Sequence, residues 1–136
     1  MNSSRRISRE IALQVLYQME FDDSLTPKQG LRLFQDHFAI DDPSLEYSEK
    51  LIEGVKETKA KIDDLIQKHS HNWKLHRISH VDRNILRIAI FEMIQLQTEV
   101  PKNASINEAI EIAKKFGTEL SAQFVNGVLD QIAKGL

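Results

Sequence analysis

Arg5, Arg6 and Arg9 stand at i, i+1 and i+4 near the start of the chain, and no acidic residue precedes Glu10. On a helix this spacing sets two guanidinium groups on one face and the third beside them. Such a face grips phosphates, and each phosphate neutralised releases counterions, so binding there weakens with salt. On charge alone the same residues also describe an ordinary solvated helix end. A second cluster, Lys114-Lys115-Phe116-Gly117 with Phe124 and Asn126 beyond it, sets cations next to aromatic rings. Lysine attracts phosphate and a ring stacks a base, at about 1 to 3 kcal/mol per base. A helix N-terminus near Ser121 adds amides for a phosphate. The competing reading of Phe116 and Phe124 makes one or both of them core residues that anchor a C-terminal hairpin.

Other chemistry-bearing residues lead nowhere comparable. His69, His71, His76 and His80 crowd one stretch, with Asp82 nearby, and His76 and His80 have an i, i+4 spacing able to hold a metal. There is no HExxH pattern and no third ligand at a matching spacing, so a solvated connection is the better reading and no metal is expected. Glu108 and Glu111, followed by Lys114 and Lys115, read as a charged outer face rather than a catalytic carboxylate pair. No GxGxxG, P-loop or GxSxG occurs, and the absence of cysteine removes thiolate nucleophiles, disulfides and Cys-ligated zinc together. Neither an enzyme nor a bound cofactor is expected.

The formal net charge is -2, unlike that of a dedicated nucleic-acid binder, so any such contact must be local. Arg5-Arg6 raise the question of a twin-arginine export signal, but Arg9 and Glu10 fall where its apolar stretch would begin. No apolar run approaches the roughly 20 residues needed to cross a bilayer. A soluble, cytoplasmic protein with no membrane contact is expected, and the lack of cysteine suits a reducing compartment.

The elements that must position these residues read as helices throughout. At 136 residues and 41% hydrophobic composition the chain supports one folded domain, and only 3 prolines and 5 glycines leave little room for long linkers. Ile7, Ile11 and Val15 recur at i, i+4, with Ala12, Leu16 and Met19 widening the stripe of a first helix. Thr26-Pro27-Lys28-Gln29 is a capping box that opens a second, with Leu31, Phe34 and Phe38 on its apolar side. Asp42-Pro43 starts a third stripe of Leu45, Leu51, Ile52 and Val55, and Ile62, Leu65 and Ile66 form a fourth. The pattern leaves open whether these are one helix or two. The polar stretch from His69 to Ile78, which holds the only Trp, reads as the main connection.

Ser79 to Asp82 caps a helix that is apolar nearly all round from Val81 to Leu96 and should be central. Pro101 is expected to end it, and Ser105-Ile106-Asn107-Glu108 to open the next, which Gly117 closes. The last helix carries Phe124, Val125, Val128, Leu129 and Ile132, and Gly127 inside it suggests close backbone packing. The sum is an all-α fold of six or seven helices within a single domain 1–136, an N-terminal helical subdomain at about 1–70 and a C-terminal one at about 79–136.

Four blocks carry a family likeness: Arg5-Arg6 with Arg9-Glu10 and Ala12 to Tyr17; Val81-Asp82-Arg83-Asn84-Ile85-Leu86-Arg87-Ile88-Ala89; Ile106-Asn107-Glu108-Ala109-Ile110-Glu111-Ile112-Ala113-Lys114; and Phe116-Gly117 with Phe124-Val125-Asn126-Gly127-Val128-Leu129. In order and spacing they resemble the NusB family of bacterial transcription antitermination factors. The likeness runs from Arg5 to about Ala133 and is weakest between Phe21 and His71.

The resemblance implies two small helical bundles and no catalysis. It implies binding of the boxA element of nascent ribosomal-operon RNA together with ribosomal protein S10, also called NusE. That complex joins the elongating RNA polymerase with other Nus factors and suppresses Rho-dependent termination. Carried over by position, Arg5, Arg6, Arg9 and Tyr17 face RNA, Lys115, Phe116 and Phe124 form the second part of the RNA surface, and Asp82 and Arg87 fall on the helix that meets S10. Ile7 stands where the family often has a further arginine, which thins the basic patch and implies that a basic partner supplies the missing electrostatics. Two other readings stay open: an RNA-recognition module related to that of RNA cytosine methyltransferases, for which the chain shows no Gly-rich loop or Cys nucleophile, and a helical adaptor that binds no RNA. Monomer and homodimer both remain compatible with the sequence.

Overall fold

A computed structural model describes residues 2–70 and 74–136, so His71 and Trp73 of the polar connection lie outside the described residues. Among the described residues the regular structure is entirely helical: α1 (Asn2–Phe21), α2 (Pro27–His37), α3 (Asp42–His69), α4 (His80–Gln95), α5 (Lys102–Phe116) and α6 (Ser121–Lys134), with one 3-10 turn at Leu75–Arg77. The all-α expectation holds. The chain divides into two compact units, Met1–Glu57 and Thr58–Leu136, and the division falls inside α3. The third and fourth apolar stripes belong to this single 28-residue helix.

In the first unit, α1 buries Ile11, Ala12, Val15 and Leu16. Ile7, expected on the same stripe, is instead 47% exposed. The link to α2 turns at Asp22, whose carboxylate accepts the Ser24 hydroxyl at 2.6 Å and the Ser24 amide at 3.0 Å. These bonds favour the anion and hold its pKa below the usual carboxylate value. The capping box at α2 forms as its sequence dictates: Thr26 Oγ1 accepts the Gln29 amide and Gln29 Oε1 accepts the Thr26 amide, with Pro27 in the first turn. Phe38 is not part of the buried stripe. The helix stops at His37, Phe38 takes an extended backbone, and its ring stands 61% exposed against Phe34.

Helices α1 and α2 meet at Gly30, where an added Cβ would lie 2.5 Å from Cγ1 of the buried Val15. The N-terminal turns of α3 reach α1 through serines. Ser8 Oγ donates to the Ser44 carbonyl at 2.7 Å, and Ser48 Oγ donates to the Ser8 carbonyl at 2.8 Å. All three serines are almost fully buried.

In the second unit α4 is central, buried continuously from Arg83 to Met93, and packs against α5 and α6. Ser79 caps it by accepting the Asp82 amide at 3.1 Å. Two of the expected boundaries move. Helix α4 ends at Gln95 ahead of Pro101, with the Leu96 amide bonded back to the Glu92 carbonyl. Helix α5 opens at Lys102 rather than at Ser105, because the Pro101 carbonyl already accepts the Ala104 and Ser105 amides. Ser105 is therefore buried in the helix body instead of capping it. Gly117 does close α5, and a Cβ there would collide with the Ser121 side chain. Gly127 is not a packing glycine: apart from its own helix backbone and its chain neighbours, no heavy atom comes within 4 Å of where its Cβ would stand.

Arg87 joins α4 to the later turns of α3. Its Nε and Nη2 donate to the two carboxylate oxygens of Asp63 at 2.8 and 3.0 Å, and Nη1 donates to Asn84 Oδ1 at 3.3 Å. The arginine side chain is 4% exposed and that of Asp63 18%. Breaking such a pair strands one charge in a poorly solvated place. Arg87→Ala is expected to cost about 3 kcal/mol in urea unfolding, a figure at the low end for buried pairs because Asp63 keeps some contact with water. The two glycines should behave oppositely in the same assay. Gly30→Ala overpacks against the stiff Val15 and loses about 1 to 2 kcal/mol, whereas Gly127→Ala gains about 0.5 to 1 kcal/mol from helix propensity with nothing to displace.

Candidate nucleic-acid interface

The three N-terminal arginines occupy different depths. Arg6 is exposed, Arg5 is half-buried and Arg9 is 4% exposed. Arg5 places its guanidinium carbon 4.7 Å from the centre of the Tyr47 ring, and Arg9 places its own 6.0 Å from the same ring. Tyr47 comes from α3, at the turn flanked by Ser44 and Ser48, whose bonds to Ser8 fix α1 between the two arginines. Ile7 stands on the exposed side of this edge. Three turns further along α1, about 16 Å at 1.5 Å per residue, Tyr17 lies on nearly the same helix face as Arg6. It is 41% exposed, and its ring packs against Phe21 with centroids 5.1 Å apart.

The second cluster lies at the α5–α6 turn of the other unit. Lys115 is exposed, with its ammonium 5.5 Å from the centre of the Phe116 ring. Phe116 and Phe124 are both half-buried, so neither is simply a core residue. The turn is held by Ser121, whose hydroxyl oxygen accepts the Thr118 amide at 2.9 Å. No side chain caps the start of α6, where Leu120 is the preceding residue. Lys114 pairs with Glu111 at 3.5 Å on an exposed face, the role that their spacing suggested.

Beside this turn lies a cleft of about 260 Å³ lined by Arg77, Ile78, Asp82, Leu120 and Phe124 among others. Oδ1 of Asp82 is buried and makes no hydrogen bond among the described residues. Leu120 is 71% exposed at its rim. The cleft therefore carries both signs of charge, the Arg77 cation and the Asp82 carboxylate, among apolar side chains. Arg87, on the same helix as Asp82, is turned away into its pair with Asp63.

Among the described residues no group of three or more His, Cys, Asp or Glu side chains gathers. Nδ1 of His80 accepts from Arg83 Nη2 at 2.6 Å. His71 lies outside the described residues. Tyr47 is the member of this surface that reading the sequence missed. The available signal was the pair of small residues at i, i+4 around it, Ser44 and Ser48, which permits close approach of another helix.

No helix of the described residues is long and apolar enough to cross a membrane. Residues 6–134 match the NusB family. The chain is 45% identical over 132 residues to the transcription antitermination protein NusB of Bdellovibrio bacteriovorus, covering 97% of this chain and 96% of the relative. Its structure is similar to that of T. maritima NusB, with a TM-score of 0.85 and 40% identity over 96% of this chain and 90% of that one. It is also similar to a chain in the crystal structure of antitermination factors NusB and NusE in complex with dsRNA, with a TM-score of 0.87 and 26% identity over 100% of both chains. With the helices, the arginine edge and the Lys115–Phe116 turn in place, and with relatives matched along almost their entire length, this chain belongs to the NusB family.

Proposed function

We propose that this chain is a transcription antitermination factor. It binds boxA-type RNA of ribosomal operons together with S10 (NusE), joins the elongating RNA polymerase with other Nus factors, and suppresses Rho-dependent termination. It works in the cytoplasm and by binding alone. The observation that carries the reading is the end-to-end similarity to a chain in the complex of NusB, NusE and dsRNA. The relatives' shared description as antitermination proteins agrees with it.

The chain's own chemistry supports the assignment. With a net charge of -2 it has no general attraction for RNA, so affinity must come from placed groups. Arg5 and Arg6 supply phosphate contacts at the edge of α1, and Arg9 supports them from its buried position. Tyr17, Phe116 and Phe124 offer ring faces for bases, and Lys115 a further cation. Asp82, an acidic group in the first turn of α4, suits a basic protein and is the proposed S10 contact. Arg87 serves that contact indirectly by holding α4 in place.

The test is a titration of labelled boxA-type RNA at several salt concentrations, with and without S10. Wild-type protein should bind weakly alone and at least tenfold more tightly with S10. Arg5→Ala/Arg6→Ala, which leaves the buried Arg9 in place, should weaken binding and flatten the log–log salt dependence by about 0.7 per lost phosphate contact. Asp82→Asn should reduce the enhancement by S10 while sparing binding to RNA alone. RNA that stays free even with S10 present overturns the assignment.

A further inference from the structure

We propose that Tyr47 is a positioning residue for RNA binding: its ring is a shared platform for the Arg5 and Arg9 guanidinium groups and sets the attitude of the arginine edge that meets phosphate. The inference rests on the RNA-binding reading above. The two arginines are one helical turn apart on α1 and both reach the same ring on α3, at 4.7 and 6.0 Å from its centre. The arrangement is registered by backbone rather than by chance side-chain contact. Ser8, between the arginines, is bonded in both directions to Ser44 and Ser48, which flank Tyr47.

Three physical consequences make this a binding device. Arginine is long and rich in rotamers, so an unsupported Arg5 loses that freedom on meeting RNA, whereas one resting on a ring has already lost part of it. Two guanidinium groups a turn apart repel each other, and the negative face of an aromatic ring within reach of both offsets the repulsion. A ring attracts the cation as a whole, whereas a carboxylate in the same place would occupy the N–H donors that grip phosphate. The depth of the side chains fits this division: Arg9 is buried, and Arg5, the nearer of the two to the ring centre, is half-exposed where RNA can reach it.

The experiment compares Tyr47→Phe, which keeps the ring, with Tyr47→Leu, which keeps apolar bulk without it. Affinity for labelled boxA-type RNA with S10 is measured in wild-type and Arg5→Ala backgrounds, with thermal melts confirming that each variant is folded. Side-chain NMR of Arg5 and Arg9 reports the ring-current shift that the platform imposes. Wild type and Tyr47→Phe should show that shift and bind within about twofold of each other. Tyr47→Leu should lose the shift and weaken binding about 5- to 10-fold, and most of that loss should vanish when Arg5 is already alanine. Undiminished binding by Tyr47→Leu, or losses from Tyr47→Leu and Arg5→Ala that simply multiply, overturns the proposal while leaving the RNA reading intact. Wild-type protein that shows the shift yet binds no RNA overturns both.

Discussion

Three buried serines set the geometry on which the N-terminal half of the proposed interface depends. A serine inside a helix commonly bonds a carbonyl of its own preceding turn. Ser8 and Ser48 instead bond across, each to a backbone carbonyl of the other helix, and Ser44 supplies one of those carbonyls. Small side chains let α1 and α3 approach closely, and a buried hydroxyl without a partner would cost about 1 to 3 kcal/mol, so the register between the helices is narrowly specified. Arg5 and Arg9 lie on either side of Ser8, and the same register brings both to Tyr47. The charge proposed to meet phosphate is thus placed by hydroxyl-to-carbonyl bonds that are themselves neutral.

That placement matters because the chain is acidic overall. A protein of net charge -2 gains little long-range attraction for a polyanion. What it can offer is a short, preorganised row of cations and ring faces, with the remaining affinity supplied by a partner. The second unit repeats the economy on a smaller scale, with one exposed lysine over a half-buried ring and a tight turn held by Ser121. The cleft beside it is lined by both Asp82 and Arg77. On the proposed assignment, local acidic and basic groups let one small chain address RNA and a basic protein separately.

Local signals in the sequence are legible where the physics is local. The capping box at Thr26, the serine cap at Ser79 and the glycine stop at Gly117 all depend on a few neighbouring residues, and all form. Ser105 misled because it satisfies the capping-box pattern while Pro101, four residues earlier, already starts the hydrogen bonding. Gly127 and Gly30 look alike in sequence, and only the approach of Val15 separates them. Arg9 faces Tyr47 and Arg87 pairs with Asp63, contacts between residues far apart in the chain that periodicity does not encode. The family likeness pointed to the arginine edge, but not to the depth of each arginine in it.

The most direct measurement of the central claim, that binding is delivered by placed local groups, is an amide NMR titration of the folded protein with boxA-type RNA in the presence of S10. The account predicts shifts concentrated at residues 5–9 and 17 of α1 and at 115–124, with the outer face of α2 unchanged. Shifts centred on α2, or spread evenly over the surface as diffuse electrostatics would produce, would contradict it.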